Sequence, residues 1–75
     1  MSVNVVEAFR KYDRDRDGFI NLTECQQAYN SYAISNSFPR IPMSQFNEYF
    51  KNLKKDKIDL MEFTVFANKA KSGKI

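Results

Sequence analysis

The chain has 75 residues, a net charge of +3, one cysteine and no histidine. A domain this short buries only about 60% of the surface its unfolded chain exposes, so it gains from a metal, a cross-link or a partner. A single cysteine excludes an internal disulfide, and the lack of histidine excludes imidazole-based zinc sites and leaves no nucleophile–base pair for an enzyme.

No stretch reads as a secretory signal or a membrane span, and nothing reads as nucleic-acid-binding. A free thiol without a signal segment predicts a reducing, cytoplasmic setting, with Cys25 as a small buried apolar residue. The charge is uneven. Residues 1–50 carry five basic and six acidic side chains, a net −1, whereas residues 51–75 carry seven lysines against three acids, a net +4. This basic tail is a solvated face first, and a point of contact with an anionic membrane second.

Taken in order, Val5, Val6, Phe9 and Tyr12 lie at helical spacing, with Ser2 as the expected N-cap. Asp13 to Glu24 is too polar and turn-prone to continue that helix. Helical periodicity resumes with Leu22, Cys25, Ala28, Tyr29 and Tyr32. Residues 34–43, with two prolines, read as a linker. Phe46, Tyr49, Phe50 and Leu53 mark a third helix, with Ser44 as its expected N-cap. Lys54 to Lys57 interrupt the pattern, Ile58 suits a short strand, and Phe63, Phe66, Ala67 and Ala70 mark a fourth helix that stops before Gly73. The fold class is all-α, helix–loop–helix twice: a first unit over about 3–33, a linker over 34–43 and a second unit over about 44–71.

The chemistry sits in the first loop, D-R-D-R-D-G-F-I-N-L-T-E, from Asp13 to Glu24. Asp13, Asp15 and Asp17 occupy its first, third and fifth positions, an alternation that turns carboxylates toward one centre. Gly18 stands at the sixth, where the chain bends sharply and positive φ costs least. Phe19 offers its carbonyl, Asn21 acts through a water, and Glu24 closes the set with both oxygens. This is the Ca²⁺ loop pattern, for one ion, with Mg²⁺ as the resting competitor.

Residues 7–20, E-A-F-R-K-Y-D-R-D-R-D-G-F-I, resemble the first helix and loop of the EF-hand superfamily as found in calmodulin. The run Arg16–Ile20 resembles the first loop of myosin regulatory light chains. The resemblance implies a calmodulin-like lobe of paired hands, joined by a two-residue β-bridge through Ile20 and Ile58. The second hand is degenerate. Counting back from Glu62 as the twelfth position puts Lys51, Leu53 and Lys55 at the first, third and fifth, and a one-residue deletion puts Lys54 at the third instead. Neither register coordinates a dication. One competent loop with two arginines in it implies a Kd on the order of 10⁻⁶ to 10⁻⁴ M.

The resemblance also implies a partner. A single lobe with seven Phe and four Tyr suits a light-chain-like subunit gripping an amphipathic helix, such as a myosin heavy-chain IQ motif. Tyr32, Phe38, Phe46 and Tyr49, near the linker, are the residues expected to line its groove. The alternative is a free Ca²⁺ sensor that exposes the groove only when loaded.

Overall fold

A computed structural model describes residues 3–73. Six elements follow one another: α1 (Val5–Tyr12), β1 (Ile20–Asn21), α2 (Leu22–Asn36), α3 (Met43–Leu53), β2 (Lys57–Ile58) and α4 (Leu60–Lys71). The two strands pair antiparallel, with Ile20 opposite Ile58 and Asn21 opposite Lys57. The architecture is all-α, two helix–loop–helix units clipped together by this bridge, as the sequence predicts.

Helix starts are set by short polar side chains that satisfy the free N–H groups of the first turn. Ser2 lies outside the described residues; the cap of α1 is Asn4, whose Oδ1 accepts from Glu7 N at 2.8 Å. α2 and α4 each begin with a reciprocal capping box, Asn21 with Glu24 and Asp59 with Glu62. α3 starts differently from the expectation of a Ser44 cap. Pro42, extended at φ −65° and ψ 154°, precedes Met43 as the first helical residue, and its carbonyl takes the Gln45 N–H at 3.0 Å. The fixed φ of proline leads the chain into the helix without a side-chain cap.

α2 also runs three residues into the expected linker, which contracts to residues 37–42. The extension is held by Asn36, whose Nδ2 donates to Tyr32 O at 2.9 Å and to Val3 O at 2.7 Å. Ser37 then turns left-handed at φ 59°, and Phe38 N donates back to Ala33 O at 2.9 Å.

The core is aromatic. Tyr29, Phe46, Phe63 and Phe66 are fully buried. Phe46 and Phe66 stand 5.0 Å apart between ring centroids, and Tyr29 meets both rings edge-on. Phe9 of α1 reaches Phe63 of α4 at 5.9 Å, so the two helix–loop–helix units share one interior. Ile20 and Ile58 seal it from the loop side, both fully buried. Cys25 lies inside as a free thiol, and burial pushes its pKa up to about 12.

Candidate metal site

The first loop opens where α1 runs out of apolar residues. Asp13 ends the helix, its N–H bonded to Phe9 O at 3.0 Å, and its own carbonyl takes the Arg16 N–H at 3.2 Å. Two residues then adopt positive φ, Arg16 at 52° and Gly18 at 85°. The second bend brings Gly18 N to Asp13 Oδ2 at 3.1 Å, closing the loop on itself. Asp17 Oδ1 accepts from Phe19 N at 3.0 Å, an Asx turn that feeds the chain into β1. That backbone bond, and then the ammonium of Lys57 at 3.3 Å, hold the Asp17 carboxyl below its ordinary pKa.

Asp13 is the buried charged residue among those described, only 9% exposed. Its Oδ1 is sealed from solvent and meets no donor. An unsatisfied buried oxygen of this kind costs about 1–3 kcal/mol, more when charged, so a protein keeps one where something else satisfies it. A cleft of about 500 Å³, lined by Phe9, Arg10, Asp13, Arg16, Gly18 and Leu60, opens beside it. The donor set is all oxygen, the chemistry of a hard cation. The residues present fit a Ca²⁺ ion.

They are not drawn into a cage. Among the described residues, no three carboxylates or thiols gather closely enough to form a ligand cluster. Asp15 is exposed. Glu24 spends Oε1 on the Asn21 N–H at 3.1 Å, while Asn21 Oδ1 accepts from Glu24 N at 2.8 Å. Asn21 therefore serves α2 as its cap. Phe19 is 45% exposed, its ring outside the core. Like charges repel, and Asp13, Asp17 and Glu24 have each taken a nearby N–H or ammonium instead.

The second loop is more contracted than either sequence register supposed. α3 continues through Lys51 and Leu53, which are helical and not loop positions. Only residues 54–56 separate α3 from β2, against 13–19 in the first hand. Lys54 turns left-handed at φ 55°. Glu62, the counterpart of Glu24, has both oxygens engaged: Oε1 accepts from Asp59 N at 3.1 Å, and Oε2 from Lys55 Nζ at 2.7 Å. The ammonium of Lys55 thus takes the second oxygen of Glu62. Sequence reasoning excluded a metal here but missed this ion pair.

The groove expected near the linker is closed. Tyr32 is 8% exposed and Phe46 1%, both in the core. Phe38 and Tyr49 are half-buried: Phe38 lies on Tyr32 at 5.3 Å, and Tyr49 lies on Phe66 at 4.8 Å with its hydroxyl donating to Glu62 O at 2.8 Å. The expected exposure of these four residues is corrected: none of them is exposed. A core this small uses its large rings to fill itself, and among the described residues the exposed large apolar side chains are instead Phe19, Ile34, Met43, Met61 and Val65.

Residues 4–32 match the family model described as EF hand domain. No curated protein and no solved structure matches the chain. The matched stretch spans α1, the acidic loop, β1 and most of α2. The acidic motif, the bends at Arg16 and Gly18 and the family match all fall on one stretch, residues 4–32, which is similar to an EF hand.

Proposed function

We propose that the first loop binds one Ca²⁺ ion through the carboxylates of Asp13, Asp15, Asp17 and Glu24 and the carbonyl of Phe19, with Asn21 acting through water and Mg²⁺ as the competitor at rest. The observation that carries this reading is Asp13 Oδ1, a buried carboxylate oxygen without a donor inside a loop of further acids. When bound, the ion supplies the positive charge that lets these carboxylates face one another. Gly18 shapes the turn, and the Gly18 N–H orients Asp13 by holding its other oxygen.

We further propose that the lobe acts as a sensor whose partner is an amphipathic helix of a larger protein. The burial of Tyr32 and Phe46 and the half-burial of Phe38 and Tyr49 favour this over a constitutive clamp, because the helix pairs must part before those rings meet a partner. The light-chain-like clamp on a myosin IQ helix is the second reading, drawn from the Arg16–Ile20 run. It requires the target to stay bound when a chelator is present.

Calorimetric titration with CaCl2 tests the metal reading. Wild type should bind one equivalent, and Asp13→Asn should raise Kd at least about tenfold, a loss of about 1.4 kcal/mol. A wild-type affinity in that variant would remove Asp13 from the site. A hydrophobic dye should brighten on Ca²⁺ addition for the sensor, and show no change for the clamp.

A further inference from the structure

Lys57 gains its place from the register of the bridge. Ile20 and Ile58 both face inward and are fully buried, so their neighbours Asn21 and Lys57 share the outer face of the ribbon. A slip of one residue would bury Lys57 and expose Ile58, so the register is firmly specified. From that outer face Lys57 Nζ reaches Asp17 Oδ2 at 3.3 Å, across 40 positions of sequence. The other oxygen of Asp17 is already held by the Phe19 N–H. The loop backbone thus aims the carboxylate, and the second hand supplies a cation to the oxygen left over.

We propose that Lys57 sets the affinity of the first loop, because its ammonium holds the Asp17 oxygen that an incoming divalent cation needs and is displaced when the loop loads. The inference rests on the Ca²⁺ reading given above. It makes the degenerate hand a regulator of the intact one as well as its support. Both partners are half exposed, with side-chain exposures of 51% for Lys57 and 37% for Asp17. An exposed pair is weak and screened, so its release changes Kd by about two- to five-fold at low salt and by less at high salt.

A purely structural Lys57 predicts the opposite sign. If the pair only pinned the two loops together, its removal would loosen the site and weaken binding. The experiment is a calorimetric CaCl2 titration of wild type, Lys57→Gln and Lys69→Gln. Lys69 is exposed in the last turn of α4, at the end remote from the loops, and controls for net charge. Lys57→Gln should bind about two- to five-fold more tightly, with the gain shrinking as KCl is raised to about 0.5 M. Lys69→Gln should stay close to wild type. In NMR spectra of the wild-type lysine side chains, the Lys57 Cε–Hε signal should move on Ca²⁺ addition and the Lys69 signal should not. If wild type binds but Lys57→Gln binds equally or more weakly, or the Lys57 signal stays put, the proposal is overturned. If wild type itself gives no heat and no shift, the metal reading fails and takes the proposal with it.

Discussion

Replacing Ile58 by glycine should weaken Ca²⁺ binding although Ile58 offers no donor to the ion. Ile58 is fully buried and faces Ile20 across the bridge. Removing its four side-chain carbons costs about 3 kcal/mol at about 0.8 kcal/mol per buried carbon. The added backbone freedom of glycine in a strand costs about 0.5–1 kcal/mol more. The sum, about 4 kcal/mol, compares with a total stability on the order of 4–11 kcal/mol for a chain of this length. At the low end of that range the variant sits near its folding midpoint, where part of the binding free energy goes into folding and the apparent Kd rises in inverse proportion to the folded fraction. Circular dichroism and calorimetry during a CaCl2 titration read both quantities. Two controls separate local from global effects. Ile58→Val should cost about 0.5–1.5 kcal/mol and keep the strand. Phe66→Ala, in α4 away from the loops, should cost about 3–5 kcal/mol, matching the loss without touching the bridge. After correction for folded fraction, only Ile58→Gly should retain a deficit in affinity. An Ile58→Gly protein that binds Ca²⁺ as wild type does, while melting earlier in urea, would refute coupling through the bridge.

Gly18→Ala should destabilise the chelator-treated protein by about 1–2 kcal/mol through backbone strain alone, since φ is +85° and an added Cβ meets no atom within 4 Å. Urea melts measure this, and a loss near zero would mean that the turn relaxes to negative φ. Cys25 predicts a pH dependence. Its folded pKa of about 12 lies above the ordinary thiol value of about 8.5, so the stability it confers is complete below about pH 8.5 and is lost as pH rises toward 12. By pH 10 the loss should reach about 2 kcal/mol. The difference between wild-type and Cys25→Ala melting at pH 7 and pH 10 reports it; equal pH slopes would show that the thiol ionises freely in the folded state.

The turn of the first loop was legible because its signal is local: Gly18 stands where the motif calls for a sharp bend, and the chain takes positive φ there. The bridge was legible for a related reason, since Ile20 and Ile58 occupy matching positions in two aligned loops. The length of α2 was not, because it depends on Asn36 reaching Val3, a contact between distant parts of the chain. The contraction of the second loop was also hidden. Counting back from Glu62 assumes a constant loop length, whereas α3 winds on through Leu53 to its left-handed stop at Lys54. The aromatic residues misled for want of a volume argument: composition suggested spare rings, yet Tyr32 and Phe46 are needed to fill the interior. The two lysine pairs lay within reach. Once Ile20 is set opposite Ile58, Lys57 must share the outer face with Asn21, next to an acidic loop.

The contact of Tyr29 with the linker has an optical consequence. Its hydroxyl donates to Pro39 O at 3.1 Å, while its ring is surrounded by Tyr32, Phe46 and Phe66. The chain has no tryptophan, so its near-ultraviolet emission comes from four tyrosines, and two of them, Tyr29 and Tyr49, give their phenolic protons to backbone carbonyls across the helix junctions. Parting the helices would hand those protons to water and change both brightness and lifetime. The protein thus carries an unlabelled reporter with which the proposed opening can be tested, readable without any introduced dye.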